Sequence, residues 1–178
     1  LNSDQLNALQ SVTLQAINST QLSALKTDQI AGLATFQLTA FTGTQLSYLS
    51  AAQLQSIASD KIASLVTTQI AFLNAQSLTT AQLNGLDSAD VQAITVPQIK
   101  TLTTAQLANL STMQIQSMTG VQLSALAPNQ VKALTSEQLN AIESADLRAL
   151  TTVQIAALST DQIANFSTDQ LSTLSGIQ

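Results

Sequence analysis

The chain repeats one eight-residue pattern from its first residue onward. Eight-residue units (octads) fill residues 1–72, a five-residue unit fills 73–77, octads resume over 78–173, and a second five-residue unit fills 174–178. Position 1 is apolar in every unit, position 6 is Leu, Ile or Val in every octad, and position 5 is Gln in 18 of the 23 units. Positions 2 and 3 are mostly Ser, Thr, Asn or Asp. Since no linker interrupts the pattern, it predicts a single repeat domain over 1–178.

A period of eight excludes a continuous helix and a continuous strand. Eight residues of α-helix turn through about 800°, so an apolar stripe drifts about 80° per octad and visits every face within a few octads. In a strand, apolar spacings of five and three place successive apolar side chains on opposite faces. The backbone must therefore change direction once in each octad.

Each octad contains the signals of a helix start. If position 2 is the N-cap, position 5 becomes N3, and Ser/Thr-x-x-Gln is a capping box, while positions 1 and 6 form the hydrophobic staple. Thr103 and Gln106, flanked by Leu102 and Leu107, show all four parts. In several early octads position 2 is a weak cap, and there we expect Ser or Thr at position 3 to take over. These residues are Gln10, Lys26, Ala34, Ala58 and Val66.

The pattern predicts an all-α solenoid of very short capped helices, one per octad, each of about six residues. Pro128 at N1 and Pro97 at N2 fit the first turn, where backbone N–H groups lack intrahelical partners. The alternative is a β-solenoid with Gln and Thr stacked in ladders. Leu and Ala in the core positions, and only five Gly, favour the α fold. The five-residue units lack positions 6 to 8, so each is expected to kink or re-phase the coil.

The composition excludes several classes of function. Only 8% of the residues are charged, the net charge is −5, and the chain has no His and no Cys. Nucleophile and base pairs that depend on His or Cys are therefore absent, and nothing indicates an enzyme or a bound cofactor. Nucleic-acid binding requires a basic patch that the five scattered Lys and Arg residues do not form. No apolar run approaches the roughly 20 residues that span a bilayer, so membrane insertion is not expected.

Several residue sets are candidate sites, each with a purely structural alternative. Asp87 with Asp90, and Glu143 with Asp146, are candidate weak cation sites, or acidic residues that cap helices. The Gln column serves the N-caps or forms a hydrogen-bonding ladder between chains. The Ser and Thr residues cap helices or form a hydroxyl array suited to ice or glycan. Off-pattern apolar residues provide lateral contacts between protomers or fill a secondary core; they include Phe36, Tyr48, Phe72, Met113, Val121 and Val153.

The stretches LTTAQLANLSTMQIQSM and LTTVQIAALSTDQIANFSTDQL resemble the tandem Leu-Thr-Gln repeat arrays of giant secreted bacterial surface proteins, often called adhesin-like. The resemblance covers the whole chain and implies an extracellular or cell-surface location. It also implies a structural role in a fibre, adhesin stalk or surface filament. We expect self-association, end to end or lateral, and contact with an extracellular polymer or surface. Joining residues 174–178 to the start of the chain would recreate the arrangement at 73–83, which suits a longer array or end-to-end stacking of identical chains.

Overall fold

The computed structural model describes residues 5–6 and 8–178, and these residues form short helices joined by corners. Twenty α-helices of four to six residues follow one another in this part of the chain, and it contains no strand. The prediction of an α-solenoid with one short helix per octad is confirmed, and the β-solenoid alternative is wrong. No helix among the described residues is long and apolar enough to cross a membrane.

The chain divides into two compact units, Leu1–Leu86 and Asp87–Gln178. The helices of the first unit are α1 (Ser11–Gln15), α2 (Ser19–Ser23), α3 (Thr27–Ala31), α4 (Thr35–Ala40), α5 (Gly43–Ser47), α6 (Ala51–Ser56), α7 (Ser59–Ile62), α8 (Thr67–Ile70), the 3-10 helix η1 (Ala75–Ser77) and α9 (Thr80–Asn84). Those of the second unit are α10 (Ser88–Ala93), α11 (Val96–Thr101), α12 (Thr104–Ala108), α13 (Thr112–Ser117), α14 (Gly120–Ala125), α15 (Pro128–Lys132), α16 (Ser136–Ala141), α17 (Ser144–Leu147), α18 (Thr152–Ala156), α19 (Thr160–Ala164) and α20 (Thr168–Thr173).

The corner between two helices consists of two consecutive extended residues, at positions 1 and 2. After α14, Leu126 (φ −62°, ψ 141°) and Ala127 (φ −69°, ψ 153°) turn the chain, and α15 begins at Pro128. Leu126 N donates a 3.2 Å hydrogen bond to Leu123 O, which closes the last turn of α14. No described residue has a positive φ. Because these corners need no left-handed residue, the chain turns once per octad with very little glycine.

Within each unit, helices stack at intervals of three. In the first unit α1 packs on α4 and α3 on α6, and in the second α13 packs on α16 and α14 on α17. Three helices therefore make one coil, and a helix at one place in the coil lies on the helix three places before it. The side chains at positions 1 and 6 point into the coil, where Leu123 and Leu126 are buried. An isolated octad could not bury the side chains at positions 1 and 6, so the stability of each coil depends on its contacts with neighbouring coils.

Each helix, with the corner before it, forms one side of the coil. The five-residue unit 73–77 fills one such side by itself. Its 3-10 helix η1 packs on α6, and α9 then packs on α7, so the interval of three is kept. Gln82 donates to carbonyls 28 and 25 residues earlier, where octads elsewhere use 31 and 28. The difference of three equals the number of missing residues. The expected re-phasing is therefore wrong for this unit, because a shorter side still completes the turn.

Candidate functional site

The capping box predicted from the sequence forms in most octads. In α18, Gln154 Oε1 accepts a 2.7 Å hydrogen bond from Thr151 N, and Gln154 N donates to Thr151 Oγ1 at 3.3 Å. Two of the N–H groups that a helix start leaves unpaired are thereby satisfied. Pro128 lies at N1 and Pro97 at N2, as predicted.

The octads with a weak residue at position 2 keep the same helix start, contrary to expectation. Ala34 and Val66 are N-caps without a side-chain hydrogen bond, and Thr35 and Thr67 at position 3 are the first helical residues. The glutamine half of the box remains, since Gln37 Oε1 accepts from Ala34 N at 2.9 Å. The prediction that position 3 takes over as cap is wrong. The buried staple residues fix the start of the helix even where the cap hydroxyl is missing, and the Gln bond supports it in those octads that have Gln at position 5.

The other end of the Gln side chain joins successive coils. Gln154 Nε2 donates to Leu123 O at 2.9 Å and to Leu126 O at 2.7 Å, which lie 31 and 28 residues earlier. These carbonyls belong to positions 6 and 1, at the end of one helix and in the corner that follows. We call the series of such bonds the glutamine ladder. Bonds of this kind are also made by Gln45, Gln53, Gln69, Gln122, Gln130, Gln138 and Gln170.

The glutamine ladder explains why position 5 is Gln and not Glu. A Glu side chain would complete the capping box equally well and would suit the positive end of the helix dipole better. Only the amide offers an acceptor to the N-cap and a donor to the neighbouring coil at once. Gln154 is fully buried, so an unsatisfied oxygen facing two carbonyls would be costly there. The consistent preference for Gln was the sequence signal of this second contact, which the capping interpretation did not use.

Two of the residues that replace Gln at position 5 reproduce its hydrogen bonds to different extents. Lys61 replaces Gln in α7, and its Nζ donates to Ala31 O at 2.9 Å and to Leu33 O at 2.7 Å. The ammonium thus preserves the inter-coil contact without the cap acceptor. Asp90 in α10 offers no donor, and its side chain is buried. Burial, and to a lesser degree the charge of Asp87, raise the pKa of Asp90, although a hydrogen bond at the backbone lowers it.

The candidate cation residues lie at helix starts. Asp87 Oδ1 accepts a 2.9 Å hydrogen bond from Asp90 N, which is the capping contact. Glu143 is an exposed N-cap without such a bond, and Asp146 is half-buried beside Gly120. Among the residues described, no group of three or more acidic, His or Cys side chains could hold a metal ion. The weak cation sites stay predictions.

The candidate lateral residues lie at the surface. Met113, Val121 and Val153 are exposed, so they do not fill a secondary core. They belong to α13, α14 and α18, which fall in three different series of stacked helices. The three side chains therefore lie on different sides of the coil.

Phe36, Tyr48 and Phe72 are partly exposed in the first unit. The ring of Phe72 lies against Gly43, where a Cβ atom would come within 2.5 Å of Cδ2. Phe72 therefore covers the start of α5, and its place there depends on the glycine.

The coils at the two ends expose different parts of the apolar pattern. In the first described coil, Leu9, Ile17 and Leu25 at position 1 are half-buried and line an open depression of about 850 Å³. In the last coil, Ile163 and Leu171 at position 6 are 39% and 46% exposed. Elsewhere in the described chain, residues at positions 1 and 6 are buried apart from Leu174 in the closing five-residue unit.

Comparison with known families agrees with the repeating geometry. Residues 1–35 and 139–176 match the family described as the ALTTAQ repeat, and the second segment contains ALTTVQ at 149–154. The chain is a repeat protein. No curated protein matches the sequence. The matched segments carry the capping box and the Gln column described above, so the repeat motif encodes a helix start and a contact between coils.

Proposed function

We propose that this repeat protein is a structural module of a bacterial extracellular fibre, adhesin stalk or surface filament that self-associates and has no catalytic role. The observation that carries the proposal is the glutamine ladder. Within each unit, successive coils are joined by the same buried hydrogen bonds, so a coil can be added without changing its neighbours. Stability then grows by adding nearest-neighbour contacts, which suits a protein that provides length.

The surface chemistry supports the same proposal. With 8% charged residues and a net charge of −5, the outside of the coil is polar, sparsely charged and weakly acidic. Such a surface attracts few macromolecules through long-range electrostatics. The extracellular or cell-surface location is proposed from the resemblance to secreted repeat arrays and from this surface.

Electron microscopy of the purified protein tests the proposal. We expect thin fibres at high protein concentration, with compact particles only after dilution. The matched control is Gln116→Ala at an exposed position 7, which should form fibres as the wild-type chain does. Compact monomers at every concentration, with no fibres, would contradict self-association.

A glycan- or ice-binding module is the second proposal, and one row of hydroxyls favours it. Thr112, Ser136 and Thr160 stand at position 3 of α13, α16 and α19, which stack on one another in the second unit. Thr112 and Thr160 are exposed, and Ser136 is half-buried. The hydroxyls at position 2 are used in caps, which reduces the array that a ligand could meet. A glycan pull-down and an ice-recrystallisation assay test this proposal, and null results in both contradict it.

A further inference from the structure

We propose that the second unit contains a hinge, at which successive coils separate on one side, between α14 and α17, while the other two sides stay joined. The glutamine ladder is interrupted at this place by Asp146. The inference goes beyond the proposed function, because it concerns motion within a single chain and needs no self-association. It rests on the hydrogen bonds of the second unit, all of whose residues the structure describes.

Asp146 stands at position 5 of its octad, where the ladder requires a donor. Counting back 31 and 28 residues, as for Gln154, gives Ile115 O and Met118 O as the acceptors of the missing bond. An ionised carboxylate has no hydrogen to donate, and no described side chain donates to either oxygen. Asp146 Oδ1 lies instead beside Gly120, where a Cβ atom added to the glycine would be 3.2 Å away. The sides formed by α14 and α17 therefore meet without a ladder bond.

The ladder bonds before and after this gap in the same series of stacked helices are intact. Gln122 of α14 donates to Ile94 O at 2.8 Å, and α14 packs on α11. Gln170 of α20 donates to Ile142 O at 3.0 Å, and α20 packs on α17. The gap is therefore confined to the contact between α14 and α17.

The sides immediately before and after Asp146 in the chain also keep their ladder bonds. Gln138 of α16 donates to Leu110 O at 2.6 Å, and Gln154 of α18 donates to Leu126 O at 2.7 Å. With two sides of the coil joined and the third not, separation of α14 from α17 tilts the following coil without detaching it. A few residues that let packed elements change their relative angle are what constitutes a hinge.

The helix at the gap is also the least supported helix of the second unit. α17 has four residues, whereas the other α-helices of this unit have five or six. Its N-cap Glu143 makes no side-chain capping bond and Asp146 makes none to the backbone of Glu143, so neither half of the capping box forms. Every other helix of the unit has at least one half. Elements with few such contacts open at a lower free energy than their surroundings.

Amide hydrogen exchange followed by NMR measures this opening residue by residue. Leu139, Leu147 and Ile155 occupy position 6 of three consecutive octads, and each N donates to its position-2 carbonyl, at 3.0, 2.9 and 3.0 Å. Because these bonds are matched, a difference in exchange, after correction for intrinsic rates, reports a difference in opening. We expect the Leu147 amide to exchange at least about tenfold faster than the other two. Equal rates at the three positions overturn the inference.

Substitutions at Asp146 identify the missing ladder bond as the cause. Asp146→Gln supplies the donor and should slow exchange at Leu147 at least about tenfold. Asp146→Glu has the same length without the donor, and Asp146→Asn has an amide that is one methylene shorter, so both should leave Leu147 fast. If either control slows exchange as much as Asp146→Gln does, the cap or the charge is the cause, and the inference is overturned.

A pair of spin labels measures the bending itself, and the chain has no Cys of its own. Val121→Cys with Ala145→Cys places labels at the exposed position 4 of α14 and α17, across the gap. The matched control is Asn129→Cys with Val153→Cys, at the exposed position 4 of α15 and α18, which stack and are joined by the ladder. Pulsed electron paramagnetic resonance should give a broader distribution of distances for the first pair, and Asp146→Gln should narrow it to the width of the control.

Two outcomes of the distance measurement overturn the hinge. One is equal width for the two pairs of labels, and the other is a broad distribution that Asp146→Gln leaves unchanged. Both experiments are carried out on single chains at low concentration, so failure of the hinge leaves the proposed structural function standing. Absence of fibres in electron microscopy, in turn, leaves the hinge standing.

Discussion

The side-chain amide of Gln154 donates a 2.7 Å hydrogen bond to the backbone carbonyl of Leu126, 28 residues earlier in the chain. Leu126 lies in the extended corner after α14, so no backbone N–H of that helix donates to its carbonyl oxygen. One glutamine thus accepts a hydrogen bond at the start of its own helix and donates one to a corner carbonyl of the preceding coil. Because a buried carbonyl without a donor is costly, this contact joins the local helix start to the stacking of coils.

The first prediction concerns the contribution of a ladder residue to stability. Gln138 accepts from Thr135 N at 2.8 Å and donates to Leu107 O at 2.9 Å and Leu110 O at 2.6 Å. Gln138→Ala should lower the free energy of unfolding by about 2 to 4 kcal/mol, because a cap N–H and two buried carbonyls lose their partner. Urea denaturation measures the change.

Two further variants separate the roles of Gln138. Gln138→Glu keeps the cap acceptor and loses the donor, so it should still cost more than about 1 kcal/mol. Gln116→Ala, at an exposed position 7, should change stability by less than about 0.5 kcal/mol. If Gln138→Glu is as stable as the wild-type chain, the contact between coils contributes nothing.

The second prediction separates positions 2 and 3 of one octad. Thr151 Oγ1 accepts from Gln154 N, whereas the neighbouring Thr152 is the first helical residue and is exposed. Thr151→Ala should cost about 1 kcal/mol through loss of the cap, and Thr152→Ala should cost almost nothing. Thermal denaturation of both variants checks this difference. Equal destabilisation by the two substitutions would show that the cap is misassigned.

The third prediction concerns the contact of Phe72 with Gly43. A Cβ at Gly43 would overlap the ring, so Gly43→Ala should destabilise the wild-type chain or leave it unchanged. In a Phe72→Ala background the same change should stabilise by about 0.5 to 1 kcal/mol, because Ala is a better helix residue than Gly. A double-mutant cycle measures the coupling between the two positions.

The control for this cycle is Gly176→Ala, since no atom lies within 4 Å of a Cβ added at Gly176. It should show no coupling to Phe72→Ala. A Gly43→Ala effect that is the same in both backgrounds would contradict the contact.

The fourth prediction concerns the pH dependence that Asp90 introduces. Burial and the charge of Asp87 raise the pKa of Asp90 in the folded chain, so protonation favours the native state. Its contribution to stability is complete below about pH 4 and is lost as pH rises through the raised folded pKa. Asp90→Gln should therefore be more stable than the wild-type chain at neutral pH, by about 1 kcal/mol, because the amide removes a buried charge and its oxygen can accept from the N–H of Asp87 in the same helix start. The difference in free energy of unfolding between Asp90→Gln and the wild-type chain should narrow below about pH 4.

Urea denaturation at several pH values tests this dependence, with Asp87→Asn as the companion background. Asn keeps the cap and removes the like charge, so the neutral-pH gap from Asp90→Gln should shrink there. It should persist in part, because burial is the larger cause. If the stability difference between Asp90→Gln and the wild-type chain instead widens as pH falls, the raised pKa of Asp90 is contradicted.

Much of the fold was predictable because its signals are local. The capping box joins Thr151 and Gln154 across three residues, so the sequence shows both partners together. The same is true of Pro128 at N1 and of the buried pair Leu102 and Leu107. The prediction that position 3 becomes the cap failed because it considered the hydroxyl alone. The start of α4 is instead held by Gln37 and by the burial of Leu38.

The candidate site was predictable only in part. Position 5 was recognised as important, but the partner of its Nε2 was not, because Leu126 and Gln154 are 28 residues apart. The exposed residues Met113, Val121 and Val153 occupy the same position of their octads, yet the stacking interval distributes them over three sides. Their place in the octad indicates exposure and says nothing of which residues lie beside them.

The sequence by itself determined that the chain breaks once per octad into short helices, since a period of eight fits neither a continuous helix nor a strand. It also determined where each helix starts, through contacts that span three or four residues. Only the tertiary structure decided that three helices complete a coil, that a five-residue unit still fills one side, and that Gln154 reaches Leu126 O. These features depend on how side chains at positions 1 and 6 pack between coils, and packing over about 30 residues is not encoded in any one octad.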